Sequence, residues 1–207
     1  DNAWLNREGK GKHGWEELPY WLKGYADIGY VLRDESMIRE SKFWIDAVLE
    51  NQRESGDLGP DVVKGAGKRT PSRDLWTNMP MLFCLQSYHE YSQDPRVLRL
   101  MQRYFAWQRT LPDEQFLKDY WENSRGGDNL VSVYWLYNRT GDPSLLELAT
   151  KIHRNTADWR QKGKLPNWHN VNIAQSFREP ATYWLQSHDS RDLNATYADF
   201  ELVRELY

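Results

Sequence analysis

Apolar residues recur along most of the chain at the i, i+3, i+4, i+7 spacing of an amphipathic helix. The spacing is clearest over the stretches 18–32, 97–105 and 145–159. Asp94-Pro95 and Asp142-Pro143 each predict a helix start, because Asp is a favoured N-cap and Pro suits the first helical position. Strand-like alternation is almost absent, so the pattern predicts an all-α fold.

Short polar tips separate successive predicted helices at a nearly constant interval. They lie at 33–34, 93–94, 141–142 and 188–189, and their aspartates are 60, 48 and 47 residues apart. A repeat near 47 residues is typical of stacked helical pairs. The longer first interval holds a loop insertion at about 54–73, rich in Gly, Lys and Pro, with the basic residues Lys64, Lys68 and Arg69. We therefore predict one domain over residues 1–207, made of about four antiparallel helical hairpins.

The two helices of each predicted hairpin differ in polarity. The first is broadly apolar, as in residues 130–137, whereas the second has one polar face. A buried helix followed by a half-buried one indicates an inner and an outer layer. The pattern predicts an α/α toroid or a curved α-solenoid, and four hairpins would leave a toroid as an incomplete barrel.

A tryptophan among polar residues precedes or begins the first helix of each hairpin. These residues are Trp15, Trp76, Trp121 and Trp168, spaced 61, 45 and 47 residues apart. In such an array the first-helix N-termini meet at one end, so the indoles and the free N–H groups of the helix starts are expected to gather there. Indole faces stack on the C–H faces of sugars, and neighbouring polar groups bind the hydroxyls. The sequence predicts a carbohydrate site.

The predicted substrate-binding residues come from these four segments. They are Trp15, Glu17, Trp76, Asn78, Trp121, Asp128, Asn129, Trp168, His169 and Asn170. Asp128 follows Gly126-Gly127, which would let the backbone approach a ligand closely. Glycoside hydrolysis ordinarily uses two carboxylates. The segments offer Glu16, Glu17, Asp74, Glu122 and Asp128. In an alternative interpretation, the tryptophans are apolar lids and the polar residues are ordinary helix caps.

Composition narrows the possible functions. The 207 residues include 27 Lys and Arg against 30 Asp and Glu, a net charge of -3, which disfavours nucleic-acid binding. No apolar run of about 18 residues occurs, so no membrane span is expected. Cys84 is the one cysteine, which excludes an internal disulfide and a zinc site built from this chain's cysteines. The 11 Trp and 12 Tyr must fill a core or line a binding surface.

Four stretches resemble the N-terminal half of the β-L-arabinofuranosidase-type glycoside hydrolases, a family long labelled a domain of unknown function. They are residues 14–24 (GWEELPYWLKG), 78–82 (NMPML), 125–130 (RGGDNL) and 168–175 (WHNVNIAQ). The resemblance covers most of the chain and implies a six-hairpin α/α toroid, often followed by β-sandwich domains, that acts on complex plant-type glycans. It implies that His169 and the Asp128-Asn129 pair hydrogen-bond the sugar, and that Trp76 and Trp121 shape the pocket.

The resemblance also implies a cysteine nucleophile beside a zinc ion bound by cysteines and a glutamate, in a later part of the family's toroid. Cys84 lies in a different context, so this chain would be the front part of such an enzyme or a divergent member without that chemistry. No signal peptide can be read at the start of the sequence, which stops within a helical pattern, so we expect the natural chain to continue beyond both ends. No catalytic residue is assigned, and a periplasmic or secreted bacterial location is implied.

The leading hypothesis is that this chain forms about two thirds of a catalytic toroid, completed by the rest of the same polypeptide. The whole enzyme would cleave a terminal sugar, with arabinofuranoside suggested by the resemblance. We expect no metal or cofactor within this chain, with zinc in the full-length protein, a carbohydrate substrate, and neither nucleic acid nor membrane as partner. The alternatives are an unsaturated-uronyl hydrolase-like toroid that uses Asp, and a non-catalytic helical-repeat scaffold that binds protein or glycan.

Overall fold

The structure is a computed structural model that describes residues 1–61 and 74–206. Its elements, in chain order, are a 3-10 turn Ala3–Leu5 and the helices α1 Glu17–Leu32, α2 Glu35–Glu50, α3 Asn78–Ser92, α4 Pro95–Thr110, α5 Tyr120–Ser124, α6 Gly126–Thr140, α7 Ser144–Asn155, α8 Asn170–Ser176, α9 Glu179–Ser187 and α10 Ser190–Leu206. Within these ranges there is no strand, apart from an isolated bridge between Asn2 and His13. The predicted all-α class is confirmed.

The chain divides into two compact units, Asp1–Leu111 and Pro112–Tyr207. Unit 1 contains the hairpins α1–α2 and α3–α4. Unit 2 contains the short α5, the hairpin α6–α7, and a hairpin whose first arm is α8 and α9 and whose second arm is α10. The predicted loop insertion begins as turns and bends up to residue 61. Its remainder, with Lys64, Lys68 and Arg69, lies outside the described residues.

Each hairpin turns at a residue in the left-handed αL conformation that is followed at once by an aspartate. The αL residues are Arg33, Gln93, Gly141 and His188, with φ of 56°, 58°, 67° and 53°. Each donates its backbone N–H to a carbonyl of the preceding helix, and the next aspartate side chain accepts an N–H from the first turn of the following helix. A left-handed C-cap and an aspartate N-cap thus close every turn in two residues, as the repeat of polar tips predicts.

Burial differs between the helices of a hairpin. Most side chains of α3 between Asn78 and His89 are buried, whereas α2 buries only Ser41, Ile45 and Val48. In unit 2, α6 is likewise buried from Gly126 to Leu130 and again further along. An apolar first helix and a one-sided second helix therefore occur as the polarity pattern predicts.

Two apolar surfaces remain uncovered within their own units. The α1 stripe consists of Trp21, Ile28, Val31 and Leu32, which are exposed at helical spacing, with Val31 82% exposed. The α8–α10 groove is a cavity of about 300 Å³ lined by Asn170, Ile173, Ala174, Phe177, Phe200 and Val203. Contiguous apolar surface of this kind is uncommon on a closed domain.

One helix boundary differs from the sequence expectation. The pattern over 145–159 predicts one helix, but α7 ends at Asn155, because Thr156 turns its hydroxyl to the Asn123 carbonyl at 2.7 Å. Trp159 then packs with Leu165 in the core of the following loop. Farther along, α8 ends at Ser176 and α9 begins at Glu179. Pro180 lies in the first turn of α9, where its missing backbone N–H leaves no helical hydrogen bond unmade.

Candidate functional site

The tryptophans of unit 1 fold into its packed interior. Trp15 is 8% exposed and Trp76 is fully buried. The Trp15 indole N–H donates to Asp74 Oδ2, and the Trp76 indole N–H donates to Glu16 Oε2 at 2.6 Å. Asp74 Oδ1 also accepts the Trp76 backbone N–H at 2.8 Å. Glu16 and Asp74 therefore orient the two indoles, and the expectation that these ring faces stand open to a ligand does not hold in this unit.

The other two predicted residues of unit 1 lie at helix starts. Asn78 is fully buried at the first position of α3, where its Nδ2 donates to the Tyr104 hydroxyl at 3.1 Å and to the Leu58 carbonyl at 3.2 Å. Glu17 is exposed at the first position of α1. Asn78 and Trp76 therefore offer no surface to a ligand, and Trp15 offers little.

In unit 2, aromatic and polar side chains stay open to solvent. We define the rim as Tyr120, Trp121, Trp168, His169 and Asn170. Trp168 is 50% exposed and Tyr120 is 48% exposed, while Trp121 is half-buried. Trp121 meets the rings of Tyr120 and His169 edge-on, at centroid distances of 4.8 and 5.2 Å. The start of α5 and the loop before α8, nearly 50 residues apart, thus form one aromatic cluster.

A buried layer of polar side chains holds the rim in place. Arg125 is 3% exposed, and its guanidinium lies 4.6 Å from the centre of the Trp121 ring. Its Nε donates to Asn172 Oδ1 at 2.7 Å, and Asn172 Nδ2 donates to Asn167 Oδ1 at 3.1 Å and to the Tyr120 hydroxyl at 3.4 Å. Because these bonds cross between α5, α6 and α8, the rim rings are set by buried partners.

Asp128 and Asn129 lie beneath the surface at the start of α6. Asp128 is 3% exposed and Asn129 is fully buried. Asp128 Oδ1 accepts from Arg178 Nη2 at 3.0 Å, and the Arg178 side chain is 47% exposed. The group that reaches solvent at this point is therefore Arg178, positioned by Asp128. No sequence pattern points to Arg178, because an arginine between two helices belongs to no motif.

Gly126 and Gly127 serve packing, contrary to the expectation that they let a ligand approach. A Cβ on Gly126 would lie 2.5 Å from Thr156 Oγ1, and one on Gly127 would lie 3.0 Å from the Cβ of Glu179. The two glycines allow the start of α6 to touch the loop after α7 and the start of α9.

A buried acid–base pair lies next to these glycines. Glu179 is 1% exposed, and burial raises the pKa of its carboxyl although His153 Nδ1 lies 2.8 Å from Oε1. The His153 ring stacks on Tyr183 at 3.9 Å, with an interplanar angle of 7°. His153 and Glu179 are 26 residues apart in the sequence, so only the fold brings them together.

Cys84 does not fit the nucleophile or zinc ligand that the family resemblance implies. It is fully buried in α3, where its thiol points at the carbonyls of Pro19 and Pro80, both at 3.4 Å. Burial raises the pKa of the thiol, which disfavours the reactive thiolate. Across residues 1–61 and 74–206 no three His, Cys, Asp or Glu side chains group as a metal site. In the same ranges no helix has the length and apolar content to cross a membrane.

Helical hairpins with aromatic and polar side chains at several helix starts make this chain an all-α domain. The family described as beta-L-arabinofuranosidase, GH127 catalytic domain, matches residues 9–205. The match spans nearly the whole chain, so this chain belongs to that family of glycoside hydrolase catalytic domains, and the resemblance seen in its four segments is confirmed. No curated protein and no solved structure matches the chain.

Proposed function

We propose that this chain supplies the sugar-binding wall of a glycoside hydrolase that removes a terminal arabinofuranosyl residue from complex plant-type glycans. The family match supports the reaction class, and the rim of unit 2 supports the sugar. The observation that carries the proposal is the cluster of Tyr120, Trp121 and His169, with Trp168 half exposed beside it in sequence.

The polarity of the rim favours a neutral sugar over a phosphate. Its aromatic rings offer apolar faces, and the amide of Asn170 and the imidazole of His169 suit hydroxyl groups. Arg125, which lies over the Trp121 ring, is engaged with Asn172, and Arg178 is engaged with Asp128. Little positive charge is left to compensate a phosphate.

The nucleophile and zinc ligands implied by the family belong, in this proposal, to residues outside these 207. The support is Cys84, whose buried thiol and raised pKa oppose a catalytic role. The chain by itself is then expected to bind sugar without hydrolysing it.

Further helical hairpins of the same polypeptide would cover the apolar surfaces and complete the toroid. The α1 stripe and the α8–α10 groove are each apolar enough to pack against another helix. This assignment explains why Val31 and Phe200 are exposed, at 82% and 51%.

Titration of the 207-residue chain with methyl β-L-arabinofuranoside, followed by tryptophan fluorescence, tests the proposal. A saturable change is expected, weakened by about tenfold or more in Trp168→Ala, because a half-exposed indole contributes on the order of 1–2 kcal/mol of stacking. Trp21→Ala is the matched control, since Trp21 is similarly exposed, at 42%, but lies in unit 1.

The same preparation discriminates between the alternatives. No response to any glycan would favour a protein-binding scaffold, and a preference for unsaturated uronyl sugars would favour the uronyl hydrolase alternative. Hydrolysis of an aryl arabinofuranoside by the isolated chain, abolished by Asp128→Asn, would contradict the expectation that it is inactive alone.

A further inference from the structure

A second cavity of unit 2 lies at the hairpin tips. It has a volume of about 300 Å³ and we name it the tip pocket. Its lining residues are Tyr134, Tyr137, Asn138, Leu146, Leu185, Gln186 and His188. None of these lining residues belongs to the rim. The tip pocket is therefore separate from the rim.

One wall of the tip pocket is fixed by hydrogen bonds. The Tyr134 hydroxyl donates to Gln186 Oε1 at 3.1 Å. Gln186 Nε2 in turn donates to the Leu146 carbonyl at 3.1 Å and to Thr150 Oγ1 at 3.0 Å. Both ends of the Gln186 amide are thus engaged, so this wall is already formed before any ligand arrives.

Three other polar groups of the tip pocket are not engaged in this way. The Tyr137 hydroxyl, the Asn138 amide and the His188 imidazole have no hydrogen-bond partner in the described part of the chain, residues 1–61 and 74–206. His188 is nevertheless held, because it is the αL residue of its tip, with φ of 53°, and its ring meets Trp184 edge-on at 6.3 Å. Together the three groups offer several donors and acceptors around one cavity.

The lining of the tip pocket is polar and apolar, with neither acidic side chains nor lysine or arginine. The neighbouring Arg139 stacks on Trp135 with its guanidinium 3.9 Å from the ring centre. Apolar surface comes from the tyrosine rings and from Leu185, which is 62% exposed. A neutral ligand with one apolar face and several hydroxyls is the complement of such a pocket.

We propose that the tip pocket is a second, non-catalytic carbohydrate site that binds one neutral sugar unit of a glycan. The juxtaposition of a preset amide wall, two tyrosine rings and three unengaged polar groups carries the proposal. It stands apart from the proposed function, since no residue of the rim takes part.

The test is a titration of the ¹⁵N-labelled 207-residue chain with a neutral arabino-oligosaccharide of four or five units, followed by two-dimensional NMR. The backbone amides of Asn138 and His188 and the side-chain amide of Asn138 are expected to shift saturably. Tyr137→Leu should weaken this binding about tenfold or more while preserving the fold. Tyr197→Leu is the matched control, because Tyr197 is a 64% exposed tyrosine of the same unit that does not line the tip pocket.

The outcomes are distinguishable from those of the proposed function. In Trp168→Ala the shifts at the tips should persist with unchanged affinity. Loss of these shifts in Trp168→Ala, or their absence in the natural sequence, would overturn the proposal of a sugar site in the tip pocket. Tighter binding of an acidic oligogalacturonate than of the neutral oligosaccharide would overturn it as well. Shifts at the tips without any response of the Trp168 indole would instead count against the rim.

Discussion

Asp199 of α10 is a carboxyl group held in unfavourable surroundings. It is 3% exposed, and its Oδ2 has no hydrogen-bond partner in the described ranges. Burial, with a smaller contribution from the negative charge of Asp158, raises its pKa from 3.8 to about 7. Between these two pH values the folded chain keeps a proton that the unfolded chain releases, so the free energy of unfolding falls as the pH rises.

Replacing this carboxyl should therefore change the pH dependence of stability. Asp199→Asn is expected to match the natural sequence near pH 4 and to exceed it above pH 7, by on the order of 2 kcal/mol. Urea unfolding at pH 4, 5.5 and 7.5 measures the difference. Asp158→Asn is the control and should recover a smaller part of this gain in stability, because burial is the larger cause of the raised Asp199 pKa. A constant difference between Asp199→Asn and the natural sequence at all pH values would refute the assignment.

The four tryptophans show how far a residue's role follows from its local sequence. All of them stand at or near helix starts, as the spacing predicts, but Trp76 is fully buried whereas Trp168 is half exposed. The difference arises from partners far along the chain, such as Glu16 for Trp76, which no spacing reveals. Asp128 is a similar case, since its coverage by Arg178 depends on how α6 meets the start of α9.

The hairpin tips are the elements that the sequence defines best. Their signal is local, because the αL cap and the aspartate cap act within four residues of the turn. The end of α7 coincides with the contact of Thr156 with the Asn123 carbonyl, 33 residues earlier in the chain, so periodicity alone predicts a helix that continues past Asn155. Local chemistry was predictable here, and long-range packing was not.

Two glycines with open surroundings provide a test at this scale. A Cβ would meet nothing within 4 Å at either Gly141 or Gly24, but Gly141 has φ of +67° whereas Gly24 lies within α1. Gly141→Ala is expected to lower the free energy of unfolding by about 1 kcal/mol, because a side chain is strained in the αL region. Gly24→Ala should raise it by about 0.5–1 kcal/mol. Thermal and urea unfolding measure both, and shifts of the same sign would show that backbone conformation is not the cause.

At the scale of the molecule, each unit pairs a well-filled interior with an apolar surface left uncovered. The α1 stripe of unit 1 and the α8–α10 groove of unit 2 have the composition of helix-packing faces. In the proposed function, further hairpins of the same polypeptide would cover these faces. The sequence does not distinguish these exposed faces from the core, because exposed and buried apolar residues both follow the helical spacing.

Charges placed on these faces should improve the solution behaviour of the 207-residue chain. Val31→Glu and Phe200→Glu are each expected to reduce self-association and binding of an apolar dye, with little change in the unfolding midpoint, since neither side chain is buried. Leu5→Glu is the control, because Leu5 is 40% exposed outside both surfaces. Sedimentation that is unchanged by either substitution would argue against these faces as packing surfaces.

The two-residue tips also bear on how the chain acquires its structure. Every turn is closed by caps drawn from its own immediate neighbours, so a hairpin needs nothing from the distant chain to reverse direction. Contacts this short in sequence form quickly and carry little loop-closure cost. During synthesis, each pair of helices would be able to assemble as soon as its second arm leaves the ribosome, one pair after another, from the N-terminus onward.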